Sequence, residues 1–211
     1  MSVYDLKPAF QNLLRPLCKS LAKAGVTANQ VTIAAAVVSI LAGLVFAFFP
    51  GSKWAAFLIP LTLFVRMALN AIDGMLAREH SMESKLGGIL NELGDVISDA
   101  ALYLPFALVP GISPALIVTA VVLALLTEMA GVVAVQIGAT RRYDGPMGKS
   151  DRAAAFGALA LLLGLGVEAG LWTQIALIAV CVLMVWTIFK RAAGALVEAE
   201  AESGAATTRN P

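Results

Sequence analysis

The chain has 211 residues, of which 59% are hydrophobic and only 14% are charged, and its formal net charge is +1. Soluble domains carry about a quarter charged residues, so this composition excludes an ordinary water-soluble domain. The apolar residues come in runs of about 20, the length of helix that crosses a bilayer. Cys18 and Cys181 lie far apart and outside any CxxC or Cys/His cluster, which indicates neither a disulfide framework nor a zinc site. The sequence therefore predicts an all-α, polytopic membrane protein.

The first segment, residues 5–23, places leucine and phenylalanine at helical spacing with lysine and arginine between them. This pattern is typical of an interfacial amphipathic helix on an anionic leaflet, although an amphipathic helix packed on protein gives the same pattern. Charges interrupt the apolar positions of the first 28 residues, so we expect no cleavable signal and a mature chain that begins at Met1. Thr27 and Gln30 then have the spacing of a capping box at the start of the next helix.

Six membrane spans follow in chain order, separated by turns rich in proline, glycine and charge. The predicted spans cover residues 30–49, 54–78, 86–109, 115–139, 153–167 and 171–189. Together with the interfacial helix they form one predicted membrane domain, residues 1–197. The tail, residues 198–211, is polar and rich in small residues, and we predict that it is disordered.

The positive charges indicate how the spans are oriented. Of the 15 lysines and arginines, all but Lys53 and Arg66 fall on one side of the predicted spans. Because lysine and arginine in short loops stay on the cytoplasmic side, both termini are expected in the cytosol. We expect an integral protein of the bacterial inner membrane, surrounded by membrane lipids and without a nucleic-acid partner.

Acidic residues gather at one depth of the predicted spans. Asp73 lies near the cytoplasmic end of the second span, and Glu92, Asp95 and Asp99 lie in the first half of the third. An ionisable group inside a bilayer costs about 2.5–3.5 kcal/mol on insertion scales, so these positions are candidates for function. Buried carboxylates that pair with Arg66 or Arg78 are the structural alternative.

Polar residues on the two spans form stripes along the helices. Asn70 and Asp73 share one side of the second span, and Asn91, Asp95 and Asp99 share one side of the third. Facing carboxylate and amide oxygens suit a hard divalent cation, Mg²⁺ or Mn²⁺, whose shell a diphosphate would complete. The sequence thus predicts a metal-assisted site for a phosphate-containing substrate.

One motif runs through both stripes. It consists of Asp73-Gly74-x-x-Ala77-Arg78, then eight residues, Gly87, three residues, Asn91, three residues and Asp95. This string resembles the signature of the CDP-alcohol phosphotransferase family, D-x2-D-G-x2-A-R-x8-G-x3-D-x3-D, which lies on the second and third of six transmembrane helices. Asn70 and Asn91 stand where the family has aspartates, and every other fixed position matches.

The resemblance implies an enzyme that transfers a phosphatidyl group from CDP-diacylglycerol to the hydroxyl of a small alcohol, phosphorylated or not, with release of CMP. It implies two Mg²⁺ or Mn²⁺ ions at the four ligand positions, here Asn70, Asp73, Asn91 and Asp95, with Asp95 also acting as the general base. It further implies a homodimer and contacts with the CDP moiety. The implied CDP-binding residues are Asn29, Thr32, Gly74, Ala77, Arg78, Ser84 and Gly87.

Several interpretations stay open from sequence alone. An amide oxygen ligates more weakly than a carboxylate, so Asp99, about 6 Å from Asp95 along the helix axis, or Glu92 is a candidate for the missing charge. Arg66 is predicted to form a structural ion pair with Glu128 or with Asp99. A relative that binds a CDP-lipid without turnover, and a transporter or assembly factor that conducts ions, are the alternative functions.

A basic loop adds a further candidate site. Its positive residues are Arg141, Arg142, Lys149 and Arg152. They suit a phosphate on the acceptor alcohol or a lipid headgroup, and positive-inside topology explains them equally well.

Overall fold

The computed structural model describes residues 3–207 of the chain, with side chains over residues 8–201. Within that range the chain is helical and contains no β-strand. The seven α-helices are α1 Val3–Lys23, α2 Ala28–Phe48, α3 Lys53–Glu79, α4 Lys85–Tyr103, α5 Pro114–Val133, α6 Lys149–Gly164 and α7 Leu171–Thr207. Two short 3₁₀ segments, Leu104–Leu108 and Ala134–Ile137, follow α4 and α5. The all-α prediction is confirmed, and a helix occupies the place of every predicted span.

Four of these helices, α2, α3, α5 and α7, are long and apolar enough to cross a membrane. The other two helices at predicted spans, α4 and α6, have 19 and 16 residues. Charged side chains dilute the apolar character of α4, which carries Lys85, Glu92, Asp95 and Asp99. Large apolar side chains such as Leu41, Leu44 and Phe48 are exposed on α2, as expected of a surface that faces lipid. The chain is an integral membrane protein, and the count of six spans stays a prediction.

The start of α2 follows the predicted capping box. The Thr27 hydroxyl accepts a hydrogen bond from the Gln30 N–H at 3.3 Å, and the Gln30 side chain accepts one from the Thr27 N–H at 2.9 Å. These two bonds satisfy donors that the first turn of a helix cannot pair internally. The prediction of the cap is confirmed.

The tail differs from the prediction, because α7 continues as a helix to Thr207. Alanine and glutamate, which dominate this stretch, are strong helix formers, and this propensity prevails over the polar composition that suggested disorder. Glu198 also accepts a hydrogen bond from the Thr140 N–H at 3.0 Å, which ties this part of α7 to protein. The tail is thus helical in this structure as far as Thr207, and residues 208–211 lie outside the described part of the chain.

The helices group into two compact units, Met1–Leu102 and Tyr103–Pro211. In the first unit α1 packs on α2 and α3 around a buried cluster of Cys18, Ala28, Val31, Ile72, Met75 and Leu76. Leu14 and Leu21 of α1 pack against this cluster, whereas Leu13 is 75% exposed. One side of α1 therefore rests on protein and the other is exposed. Its contact with a leaflet stays a prediction.

In the second unit the core is aromatic where the chain leaves α4. The buried rings of Tyr103 and Phe156 stack at 4.0 Å between centroids, and Phe106 meets Phe156 edge-on at 5.5 Å. These contacts fix α6 against the 3₁₀ segment.

Helices α2 and α4 approach each other closely at Gly43, where a Cβ atom would collide with the main-chain carbonyl of Ala101. We expect Gly43→Ala to destabilise the protein by about 1–3 kcal/mol, because a backbone cannot move aside as a flexible side chain can. Thermal unfolding in detergent measures the effect. Gly88→Ala is the matched control, since a Cβ at that helical position meets nothing within 4 Å. Equal melting temperatures for the two variants would contradict this packing.

Candidate functional site

Asp73 is the first of the predicted ligands, and it lies buried on α3 at 6% exposure. The Thr32 hydroxyl on α2 is 2.9 Å from Asp73 Oδ2, within hydrogen-bonding distance. A hydroxyl that donates to a carboxylate stabilises the charged form and fixes its rotamer. The structure thus brings together a predicted metal ligand and a predicted CDP-binding residue.

Asp95, the predicted base, is half-buried on α4 and is held by donors from α3. The amide nitrogen of Asn70 lies 3.3 Å from Asp95 Oδ1, and Arg66 Nη2 lies 3.3 Å from the same oxygen. Arg66 Nη2 also donates to the main-chain carbonyl of Asp95 at 3.0 Å. The side chain and the backbone of Asp95 are therefore fixed by the same guanidinium.

Arg66 also pairs with Asp99, whose Oδ1 lies 2.5 Å from Arg66 Nη1. Both side chains are almost fully buried, Arg66 at 3% and Asp99 at 2% exposure. The prediction of an ion pair between Arg66 and Asp99 is confirmed, and Glu128 has other partners, given below. Because Asp99 neutralises a buried guanidinium, its charge already serves a structural contact.

The predicted CDP-binding residues form two groups near the facing ends of α2, α3 and α4. A Cβ atom on Gly87 would lie 2.8 Å from Asn29 Oδ1 and 3.0 Å from Ser84 Oγ, so these three residues meet. The Ser84 hydroxyl accepts a hydrogen bond from the Gly87 N–H at 2.9 Å.

The second group lies on α3. The Arg78 guanidinium folds back over Gly74, where a Cβ atom would lie 2.9 Å from Arg78 Nη2. Arg78 is exposed and Ala77 is half-buried. An exposed guanidinium beside a glycine leaves room for a phosphate to approach the helix.

The structure brings some of the predicted metal ligands together. Asn70 meets Asp95 and Thr32 meets Asp73, whereas Asn91 is exposed on α4. Among the side chains that the structure describes, no three His, Cys, Asp or Glu residues converge on one point. The two carboxylates and two amides are oxygen donors, which fit Mg²⁺ or Mn²⁺ once diphosphate oxygens complete the shell.

A second polar centre lies in the second unit, and we call Arg141, Arg152 and Arg191 the arginine group. All three guanidinium groups meet the carboxylate of Glu128 on α5. Its oxygens lie 3.0 Å from Arg152, 3.1 Å from Arg141 and 3.5 Å from Arg191. Arg152 and Arg191 are 1% and 2% exposed. Three guanidinium groups therefore share the carboxylate of Glu128.

Thr127 and the loop that follows α5 complete this centre. The Thr127 hydroxyl accepts from Arg152 at 2.8 Å, and its carbonyl accepts from Arg191. Arg142 is not in the arginine group: it donates to Asp144 at 2.7 Å and to Glu198 at 2.6 Å. These two hydrogen bonds raise the pKa of Arg142 above its ordinary value.

Arg191 is the residue of this centre that sequence reasoning missed. It was counted only among the positive charges that indicate orientation, although it is buried and contacts Thr127 and Glu128. The signal available in the sequence was Glu128 inside an apolar helix, which requires cationic partners.

Comparison with known proteins gives a consistent result. Residues 25–187 match the family model CDP-alcohol phosphatidyltransferase. The inner membrane protein YnbA of Escherichia coli is 43% identical over 197 residues, which cover 93% of this chain and 98% of YnbA. The archaetidylinositol phosphate synthase of Pyrococcus horikoshii is 35% identical over 103 residues, 49% of this chain and 52% of that protein.

Solved structures of the phosphatidylinositol phosphate synthase PgsA1 of Mycobacterium tuberculosis share the fold. One, with CDP-DAG bound, has a TM-score of 0.69 at 20% identity and covers 87% of this chain and 92% of PgsA1. Another, in complex with manganese and citrate, has a TM-score of 0.69 at 20% identity and covers 86% and 88%.

Proposed function

Because the chain belongs to the CDP-alcohol phosphatidyltransferase family, we propose that it transfers a phosphatidyl group from CDP-diacylglycerol to a small alcohol and releases CMP. The enzyme class and its place in phospholipid synthesis follow from the family. The observation that supports the proposed chemistry most directly is the position of Asp95, which donors from Arg66 and Asn70 hold at a fixed rotamer on α4.

In this reaction Asp95 takes the proton of the acceptor hydroxyl. The acceptor oxygen forms a new bond to the phosphorus that carries the lipid, and the bond from that phosphorus to the oxygen of CMP breaks. CMP leaves with the electron pair of the broken bond. Arg66 and Asn70 keep the Asp95 carboxylate in place while its proton is taken up.

The nucleotide would lie against Gly74, Ala77 and Gly87, with Arg78 on a phosphate and Asn29, Thr32 and Ser84 as polar contacts. The small residues leave space beside the helices, and a guanidinium is suited to phosphate oxygens. The CDP-DAG bound in PgsA1 supports such a donor in the same fold.

A divalent cation held by Asp73, Asp95 and the amides of Asn70 and Asn91 would neutralise the diphosphate charge. The manganese in the PgsA1 complex supports Mg²⁺ or Mn²⁺ for this role. The donor set of this chain has two carboxylates, so we expect a higher metal requirement than four aspartates would give.

Restoring the two carboxylates should lower that requirement. We expect Asn70→Asp with Asn91→Asp to reduce the Mg²⁺ concentration for half-maximal CMP release about tenfold, because each added charge attracts a partly buried dication. Asn12→Asp, at an exposed position of α1, is the matched control and should leave the titration unchanged. A titration that is the same in the double variant would show that these side chains do not face the ion.

The proposed reaction is tested with purified protein, radiolabelled CDP-diacylglycerol and a panel of small alcohols. CMP release supports the transferase, whereas CDP-lipid binding without release from any alcohol would favour the non-catalytic relative. The mass of the lipid product identifies the acceptor. Phosphorylated alcohols are tested first, because the loop that follows α5 carries the guanidinium groups of Arg141 and Arg142, which suit phosphate oxygens.

The proposed orientation places both termini and the basic loop in the cytosol, where nucleotide-activated substrates are made. We expect a reporter fused after Pro211 to report a cytoplasmic location, because the lysines and arginines of short loops lie on that side. A reporter fused at Lys53, the first residue of α3, is the matched control and should score on the opposite side. A periplasmic tail would reverse the proposed topology.

A homodimer of six-span protomers completes the proposal, and chemical crosslinking in membranes tests the dimer.

A further inference from the structure

Arg66 is a fixed cation at the proposed catalytic carboxylate. It lies on α3 one helical turn before Asn70, and its side chain is 4% exposed in the pair with Asp95. Its two terminal nitrogens divide between Asp95 and Asp99, at 3.3 Å and 2.5 Å from a carboxylate oxygen of each. The contact with the Asp95 carbonyl adds a third hydrogen bond. Because the Arg66 guanidinium is buried and makes these three hydrogen bonds, an ion from solvent does not displace it from Asp95.

The hydrogen bonds of Asp95 Oδ1 limit what this carboxylate can ligate. Oδ1 accepts from both Arg66 and Asn70, each at 3.3 Å. An ionised carboxylate has about two lone-pair sites on each oxygen, so an oxygen that accepts two hydrogen bonds has none left for a cation. With Oδ1 engaged by two N–H donors, Asp95 is suited to ligate one ion.

The formal charges of the site also indicate one divalent cation. The charges of Arg66 and Asp99 cancel, and Asp73 and Asp95 at the ligand positions carry a charge of −2, which balances one divalent cation. The four aspartates of the family signature would balance two. Without the diphosphate, one dication in this chain and two dications at the four family aspartates each give a neutral site. A second dication in this chain would leave uncompensated positive charge in a partly buried site.

We propose that this site holds a single divalent cation, and that the guanidinium of Arg66 supplies beside Asp95 the positive charge of a second ion. The inference rests on the proposed function, since it concerns the same site. Arg66 is in this view a positioning residue for Asp95 that also determines the number of metal ions.

The test counts bound Mn²⁺ directly. Purified protein with CDP-diacylglycerol and no acceptor is titrated with Mn²⁺, and the EPR signal of free Mn²⁺ gives the number bound per chain. We expect one ion in the wild type and one in Asn70→Asp, because Arg66 is still present. The double variant Arg66→Met with Asn70→Asp, which removes the cation and adds a carboxylate, should bind two.

Two ions in the wild type or in Asn70→Asp would overturn the inference, as would a folded double variant that binds only one. Size-exclusion chromatography and CDP-diacylglycerol binding establish that the variants are folded. If the double variant does not fold, the wild type and Asn70→Asp decide the question. Two bound ions together with CMP release would retain the proposed function and remove only this inference, whereas one ion without CMP release would do the reverse.

Discussion

Asp95→Asn abolishes CMP release while the protein still folds and binds CDP-diacylglycerol: this is the result that the proposed base requires. General bases contribute about 10²–10⁴-fold to rate, so turnover should fall by at least about 100-fold. An asparagine at this position has nearly the same volume, and its amide oxygen can accept the hydrogen bonds of Arg66 and Asn70. Single-turnover CMP release and CDP-lipid binding, measured side by side, separate loss of chemistry from loss of binding.

Glu92→Gln is the matched control for that variant, since it makes the same chemical change on the same helix at a half-buried position. Turnover in Glu92→Gln should stay close to that of the wild type. Retention of more than a tenth of wild-type turnover in Asp95→Asn, or a greater loss in Glu92→Gln, would remove Asp95 from the role of base.

Glu128→Gln is expected to cause the largest loss of stability, about 3–5 kcal/mol, because it leaves the arginine group without its shared carboxylate. The substitution keeps the volume of the side chain, so the loss reflects charge and not a cavity. For a chain of this length the melting temperature should fall by roughly 10 °C. Thermal unfolding in one detergent, followed by helix content, is the measurement.

The control for this variant is Glu168→Gln, at an exposed position between α6 and α7. Its melting temperature should match that of the wild type. Adding Arg141→Gln to Glu128→Gln should recover part of the lost stability, because one of the guanidinium groups that shared the carboxylate is removed. A Glu128→Gln protein as stable as the wild type would mean that the arginine group is neutralised in another way.

The helices and the polar stripes could be predicted from the sequence because both depend on local periodicity. The cap at Thr27 and Gln30, for example, is a relation between residues three positions apart. Pairing between helices depends on how each helix is rotated, which no local pattern specifies. Sequence alone therefore left two partners open for Arg66 and did not assign Arg191 to Glu128.

The candidate site was predictable to the same degree. The signature placed Asp73 and Asp95 on neighbouring helices, but it could not show that Arg66 would share an oxygen of Asp95 with Asn70. The sequence also did not show that Asn91 is exposed, because helical spacing indicates the face of the helix that a residue occupies and not how deeply the residue is buried. The polar composition of the tail likewise gave no sign of the contacts that Glu198 makes with Thr140 and Arg142.

Helix α7 is longer than a membrane span needs to be. A helix of 37 residues is about 55 Å long, whereas the hydrocarbon core is about 30 Å thick. The remaining residues extend the same helix. On this extension Glu198 accepts hydrogen bonds from the Thr140 N–H and from Arg142 in the loop. A segment to which hydropathy alone assigns no role thus holds the most basic loop of the chain in place through these hydrogen bonds.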